Sequence, residues 1–330
     1  MRVAINGLGR IGRPVLKLCL QNRIKVVAIN DLTDPKTLAY LLKYDSVYGR
    51  CPEVIKAGEN YIKIGKKKIR VYNKSNPEEL PWKRLKVDAV VEATGRFRNR
   101  SDAYKHVMAG AKKVVISAPS PDADVTIVPG VNDADYNKIH EIISLGSCTT
   151  NCLAPVAKVL DETFGISKGF MTTVHAYTND QKILDLPHKK LRRGRAAAQN
   201  IIPTSTGATQ AVASVLPQLK GKLDGLALRV PVACGSIVDF TCQLREAATI
   251  RRINNAFERA AKNELKGILQ YTEDEIVSSD VIKNPHSTIV DGLSTQVIGE
   301  KNHLIKVLAW YDNEYGYSNR MIGFLKKLRT

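Results

Sequence analysis

The tightest constraint on this chain sits in its first dozen residues. A short apolar run, Val3-Ala4-Ile5, ends in Gly7-Leu8-Gly9-Arg10-Ile11-Gly12, and helical spacing then takes over through Val15, Leu18 and Cys19. The G-x-G-x-x-G pattern alone is weak. Placed after a strand and at the opening of a helix, it is the fingerprint of a dinucleotide-binding βαβ unit. Gly7 makes the tight turn, Gly9 lets the backbone approach a pyrophosphate, and Gly12 lets helix and strand pack closely. Free N–H groups and the positive dipole end at the helix start suit phosphate oxygens. A second apolar run, from Lys25 to Asn30, leads to Asp31. It lies about 20 residues beyond Gly12, where a carboxylate hydrogen-bonds the adenosine ribose. That carboxylate would repel a 2′-phosphate, so the pattern favours NAD over NADP; a simple turn or cap residue is the alternative reading.

The chain continues in alternation. Asp34-Pro35 reads as an N-cap with proline at the first helical position. Residues 53–73 read as antiparallel strands around a Gly65-Lys66 turn, and Val87 to Val91 as a buried strand. Ser101-Asp102 would cap a helix ending near Gly110, followed by a strand from Lys113 to Ser117. Strand–helix alternation argues for a parallel sheet. After about residue 148 the texture changes. A helix is expected from Cys148 to about Phe164, ended by Gly165. Strands follow at Phe170 to Tyr177, Leu226 to Val230, Ile237 to Leu244 and Leu304 to Tyr311, with helices near 207–216 and 247–262. The expected fold class is an α/β Rossmann-type N-terminal domain plus an α+β domain with a mostly antiparallel sheet, divided near residue 147. A length of 330 residues fits two domains, and 44% hydrophobic residues can fill their cores.

The net charge is +18. Such a field attracts anions of many kinds. Its densest clusters, Lys66-Lys67-Lys68 with Arg70 and the run from Lys189 to Arg195, are not interleaved with aromatics in the manner of a nucleic-acid platform. A lysine-rich solvated surface is the plainer reading, with a basic nucleic-acid-binding protein as the alternative from another class. The six cysteines form no paired CxxC motifs, so no structural metal is expected. No segment reads as a signal peptide and no run approaches the ~18 apolar residues of a membrane span. A reducing cytoplasm is expected.

The candidate nucleophile is Cys148. In Ser147-Cys148-Thr149-Thr150-Asn151-Cys152 it begins a helix, where the dipole is expected to lower its pKa. A buried cysteine acting as a small hydrophobe is the plainer alternative, but the polar neighbours weigh against it. Cys152, one turn further on, reads as packing. Among six histidines, His175 ends a strand and opens a polar loop, though spacing alone cannot pair it with Cys148.

Four segments carry a resemblance to a known family. Ser147 to Cys152, His175-Ala176-Tyr177-Thr178-Asn179-Asp180-Gln181, Ile202-Pro203-Thr204-Ser205-Thr206-Gly207-Ala208 and Trp310-Tyr311-Asp312-Asn313-Glu314-Tyr315-Gly316-Tyr317 resemble the phosphorylating glyceraldehyde-3-phosphate dehydrogenases in order and spacing. The resemblance covers essentially the whole chain. It implies an NAD-binding domain at 1–147, joined by a C-terminal helix at 313–330, and a catalytic domain at 148–312. It implies a glycolytic or gluconeogenic enzyme that oxidises glyceraldehyde 3-phosphate with NAD and inorganic phosphate to 1,3-bisphosphoglycerate and NADH. Cys148 would carry the thioester, and His175 would be the general base.

The resemblance also implies binding roles. Arg10 and Ile11 would sit at the pyrophosphate, Thr94, Gly95 and Ser117 along the cofactor site, Asn313 at the carboxamide and Tyr317 beside the nicotinamide. Leu32 and Pro187 match the NAD-preferring pattern. Thr178, Asp180 and Arg229 map onto a site for the substrate phosphate. Ser147, Thr149, Thr206 and Gly207 map onto one for the attacking phosphate, with Arg195 close to both. The basic run 189–195 would border a neighbouring subunit's cofactor site in a homotetramer. Leu145-Gly146, Cys234-Gly235 and Tyr315 depart from the usual family residues. A sister activity on erythrose 4-phosphate is the alternative within the class, and Thr178 argues against it.

Overall fold

The structure is a computed structural model and describes residues 1–299 and 302–328. The chain divides into two compact units. The first holds Met1–Ile127, Ala134–Gly146 and the chain from Ser318 onward; the second holds Val128–Asp133 and Ser147–Tyr317. The expected division at 147 therefore meets two differences: a short segment before it goes with the second unit, and the C-terminal helix, Tyr315–Lys327, begins in the second unit rather than at 313. Residues 329 and 330 of that expected helix lie outside the described residues.

The first unit is built on a nine-stranded sheet. Its strand order is Val125–Thr126, Ile142–Ser144, Lys113–Ile116, Ala89–Glu92, Arg2–Asn6, Lys25–Asn30, Lys67–Tyr72, Tyr61–Ile64 and Ile55–Gly58. The first seven strands run parallel, and the last two add antiparallel. Strand Ala89–Glu92 is buried along its whole length, as expected of a parallel strand covered on both faces. Helix Gly12–Gln21 follows the first strand directly. Helix Pro35–Lys43 is capped by Asp34, whose carboxylate accepts from Thr37 N, with Pro35 at the first helical position. The helix expected to start at Ser101-Asp102 instead spans Arg100–Met108.

The second unit carries a seven-stranded sheet in the order Ile202–Ser205, Leu223–Val230, Ile166–Ala176, Ser236–Leu244, Leu304–Tyr311, Thr288–Ile298 and Leu269–Thr272. Four of its pairings are antiparallel and two are parallel. Helices Cys148–Phe164, Ala208–Val215 and Ile250–Lys262 supply the core that packs on this sheet. The first of them buries Leu153, Val156, Leu160 and Phe164 among Val238, Phe240, Phe257 and Val307. Each such side chain contributes about 1.5–3 kcal/mol by leaving water. The helix that begins at Cys148 is thus anchored along its length, which fixes where its first turn points. No helix among the described residues is long and apolar enough to cross a membrane.

Candidate active site

In the first unit the glycine-rich segment folds as its residue types dictate. Gly7 has φ +90° and donates its N–H to Asn30 O at 2.8 Å, closing the turn after the first strand. A Cβ on Gly12 would lie 2.0 Å from Gly7 O, so only glycine lets the helix start this close to the strand. A Cβ on Gly9 would meet nothing within 4 Å: its face is open, and Gly9 lines a surface pocket together with Asn6, Gly7, Asn30, Asp31, Leu32, Lys74, Thr94, Arg96 and Phe97, among others. Asp31 makes the contacts of a turn residue, its alternative reading. Its Oδ2 accepts from Leu8 N at 2.7 Å and its Oδ1 from Thr33 N at 2.9 Å, which ties the end of the second strand to the glycine loop.

The other expected cofactor residues are placed variously. Arg10 turns its guanidinium onto Asp45 at 2.7 Å, Ile11 stands at the helix N-cap, and Gly95 adopts φ +71°. Ser117 donates its backbone N–H to Glu92 O at 2.9 Å. None of these four lines the pocket. Pro187 is exposed in a loop of the second unit. Asn313 is buried there, its Oδ1 accepting from Gly235 N and Ser236 Oγ at 3.2 and 3.1 Å. Tyr317 is also buried, and burial, then the nearby Cys148, raises its hydroxyl pKa.

In the second unit, helix Cys148–Phe164 is N-capped by Ser147, whose Oγ accepts from Thr150 N at 3.0 Å. Cys148 is the first helical residue, and its Sγ lies 3.4 Å from His175 Nε2. His175 comes from strand Ile166–Ala176 and is buried. Its Nδ1 lies 2.6 Å from Ala176 O. In the tautomer with its hydrogen on Nδ1, that carbonyl is satisfied and Nε2 is an acceptor facing the thiol; in the other tautomer Nδ1 accepts from Arg229 Nη1. Arg229 is the parallel-strand partner of His175, and its Nη1 reaches His175 Nδ1 and donates to Ala176 O at 3.0 Å.

The electrostatics of the pair correct the expectation for the thiol. Burial, the largest influence, pushes the Cys148 pKa up, and the Arg229 charge and hydrogen bonds with Thr149 only partly offset it. Cys148 is half-buried, and the ~0.3–1 kcal/mol typical of a helix N-terminus does not reverse the direction that burial sets. Burial therefore wins. Burial, then Arg229, lowers His175 to about 3. At neutral pH the pair rests as thiol and neutral imidazole, and the imidazole can take a proton only as the sulfur attacks. Cys152 is buried, with Sγ near Thr288 Oγ1 and Ala309 O, and burial raises it to about 12; it is packing, as its spacing suggests.

The expected anion-binding residues belong to the same unit as this pair. The Thr149 hydroxyl shares a hydrogen bond with the Tyr311 hydroxyl at 2.9 Å. Thr178 donates its N–H to Gln181 Oε1 at 2.8 Å. Thr206 Oγ1 accepts from Ala208 N at 3.2 Å, and Gly207 is the N-cap of helix Ala208–Val215. Asp180 binds Arg193 and His188; burial opposes ionisation, but those hydrogen bonds hold its carboxyl below the usual range. Arg195, expected near both anion sites, pairs with Asp185 at 3.0 Å and is largely exposed. The guanidinium that joins Asp180, Thr204 Oγ1 and Ser205 O belongs to Arg193.

Two further residues escaped the sequence reading. Tyr311 is buried, with its hydroxyl also 2.9 Å from Thr173 Oγ1 and its ring edge-on to His175 at 5.9 Å. It lies inside a motif singled out for Asn313 and Tyr317, but nothing local marks it. Ser236 is buried and accepts the N–H of Ala176, beside the histidine.

Comparison with known proteins matches this layout. The family model described as glyceraldehyde 3-phosphate dehydrogenase, NAD binding domain, matches residues 1–100, and the corresponding C-terminal domain model matches 147–313. The chain belongs to the glyceraldehyde-3-phosphate dehydrogenase family. It is 56% identical over 324 residues to the glyceraldehyde-3-phosphate dehydrogenase of Geobacillus stearothermophilus, covering 98% of this chain and 96% of that one. With glyceraldehyde-3-phosphate dehydrogenase 1 of Bacillus cereus the identity is 55%, over 97% of this chain and 96% of the relative. With that of Borreliella burgdorferi it is 54%, over 99% of each. The cofactor of the family's NAD binding domain suits the residues present. The open face of Gly9, the free end of helix Gly12–Gln21 and the Asp31 carboxylate offer a pyrophosphate and a ribose what they need.

Proposed function

We propose that this chain catalyses the phosphorylating oxidation of D-glyceraldehyde 3-phosphate to 1,3-bisphosphoglycerate in glycolysis and gluconeogenesis. The observation that carries the reading is the Cys148 Sγ to His175 Nε2 contact at 3.4 Å, with the imidazole oriented by Ala176 O. The sulfur attacks the aldehyde carbon, and His175 Nε2 takes the thiol proton as the S–C bond forms. The oxygen of the hemithioacetal is held by the Cys148 N–H, one of the free donors of the helix's first turn, and by the imidazolium. NAD, when bound, supplies the acceptor for the hydride leaving that carbon. What stays on Cys148 is a thioester. An oxygen of inorganic phosphate attacks it, and the sulfur leaves as thiolate and recovers its proton. The covalent route conserves the energy of oxidation as an acyl phosphate.

Thr178, Asp180 and Arg229 are assigned to the substrate phosphate, with Asp180 acting through Arg193 rather than on the anion itself. Ser147, Thr149, Thr206 and Gly207 are assigned to the attacking phosphate, with Arg195 contributing once an anion competes with Asp185 for it. Gly7, Gly9, Arg10, Ile11, Gly12, Asp31, Leu32, Thr94, Gly95, Ser117, Pro187, Asn313 and Tyr317 are assigned to NAD.

Assembly into a homotetramer belongs to the same reading. The register puts Phe170, Leu226, Leu304 and Ile298 on one face of the seven-stranded sheet, and all four are exposed. Exposed apolar patches on folded chains mark interaction sites, and further copies of this chain are the proposed cover. All six cysteines are free thiols, which suits the cytoplasm. Nucleic acid is left a secondary, salt-sensitive role on the +18 surface.

The test is NADH formation from glyceraldehyde 3-phosphate with and without inorganic phosphate, beside erythrose 4-phosphate. Phosphate-dependent turnover of the triose is expected. Phosphate-independent turnover, or a clear preference for the tetrose, would sink the reading.

A further inference from the structure

Beneath the pocket lined by Gly7, Gly9 and Asp31 runs a chain of buried polar side chains. Trp82 Nε1 donates to His106 Nδ1 at 2.9 Å, and both residues are fully buried. Because Nδ1 accepts, the imidazole hydrogen sits on Nε2, which faces Glu92 Oε2 at 3.2 Å. Glu92 ends strand Ala89–Glu92 and is 1% exposed. Its Oε2 also accepts from Asn6 Nδ2 at 2.6 Å, and its Oε1 accepts from Thr94 N at 2.8 Å and from the Thr94 hydroxyl. Asn6 Oδ1 in turn accepts from Asn30 Nδ2 at 2.7 Å, and Asn30 Oδ1 from Lys74 N at 2.9 Å. Asn6, Asn30, Lys74 and Thr94 all line the pocket; Glu92, His106 and Trp82 do not.

A buried carboxylate is tolerated only when donors surround it, and removing one partner is more destabilising than never having had the pair. Glu92 has four donors, drawn from both sides of the strand end. One of them has a particular consequence. A Cβ on Gly7 would lie 2.8 Å from Thr94 N and 2.9 Å from Ala93 C, so the glycine loop rests directly on the peptide that Glu92 grips. A shift of that peptide is a shift of Gly7.

We propose that Glu92, braced by His106 and Trp82, is a positioning residue for NAD. Its carboxylate sets the Ala93–Thr94 peptide and the Asn6 amide, and through them the seat of the glycine loop. The proposal rests on the assignment of this pocket to NAD. Glu92→Gln keeps the shape but puts an NH2 group where donors already converge. The test measures NAD dissociation constants, kcat, both KM values and the melting temperature of the intact enzyme. For Glu92→Gln, the NAD Kd and KM are expected to rise about ten-fold, as for a lost hydrogen bond to a charged group. At saturating NAD, kcat and the aldehyde KM stay within about two-fold, since only cofactor binding is touched. Trp82→Phe keeps an aromatic ring but removes the indole N–H together with part of the buried bicycle, so its melting temperature is read alongside; it should raise the NAD Kd about three-fold.

A Glu92→Gln enzyme that melts like the wild type and binds NAD equally well overturns the proposal. So does one whose kcat and aldehyde KM worsen in step with NAD binding, which marks general destabilisation. If Glu92→Gln does not fold, Trp82→Phe decides alone, and an unchanged NAD Kd overturns the proposal. Asp31→Ala separates the two levels. If it weakens NAD binding while the network variants do not, the positioning role falls and the pocket stands. If it too leaves binding unchanged, both fall.

Discussion

Replacing Tyr311 by phenylalanine removes one oxygen from the catalytic unit and leaves the ring that stands edge-on to His175 at 5.9 Å and 77°. The lost hydroxyl bonds Thr149 Oγ1 and Thr173 Oγ1, each at 2.9 Å, and both threonines are buried. A neutral hydrogen bond is worth about 1 kcal/mol net, so losing two costs roughly 2 kcal/mol. In a unit of this size that lowers the melting temperature by about 4–8 °C. The local consequence matters more. The Thr149 hydroxyl, next to the nucleophile and assigned to the attacking phosphate, loses the group that fixes its rotamer. The KM for phosphate should rise about five-fold, the equivalent of one neutral hydrogen bond or slightly less. Calorimetry and a phosphate titration of the initial rate read both effects. A variant with the wild-type melting temperature and phosphate KM would refute the reasoning.

Cys148→Ser should lose turnover on the order of 10⁴-fold or more, as when a nucleophile is removed from a catalytic unit, yet titrate with NAD as the wild type does; appreciable turnover would count against the nucleophile. Asp31→Ala should weaken NAD about ten-fold and raise relative use of NADP, because it frees Leu8 N and Thr33 N as well as the ribose hydroxyls; an unchanged cofactor ratio would remove the ribose assignment. Iodoacetamide alkylation of the free enzyme should climb with pH throughout the neutral range. Burial raises the Cys148 thiol, so thiolate appears only as pH rises toward that elevated value, while His175, at about 3, stays neutral. A rate already on its plateau at mildly acidic pH would show a preformed thiolate and imidazolium pair.

Local features were legible in the sequence and pairings were not. The strand, glycine loop and helix at residues 2–21 follow from short-range rules, because the φ of Gly7 and the crowding at Gly12 are properties of neighbours in the chain. The helix from Cys148 to Phe164 and its Gly165 C-cap were likewise marked by composition. Strand Thr288–Ile298 escaped notice because its register shifts between Asp291 and Gln296, which breaks the alternation that betrays a strand. His175 and Arg229 became neighbours only through parallel strand register, which no spacing encodes. The choice of Arg193 over Arg195 for Asp180 is set by the path of an irregular loop through a run of similar residues. The direction of the Cys148 shift is hidden from the sequence for a related reason. The helix start is visible in sequence, whereas the burial that outweighs it comes from the packed unit.

The most direct test of the account is a single turnover without phosphate. Enzyme, NAD and glyceraldehyde 3-phosphate are mixed, the NADH released is followed, and the quenched protein is digested and weighed peptide by peptide. A burst of about one NADH per chain is expected, the kinetic fingerprint of an accumulating acyl-enzyme, with the 3-phosphoglyceryl group on the peptide bearing Cys148 and its loss when phosphate is added. Steady turnover without phosphate, or an acyl group on any other residue, would contradict it.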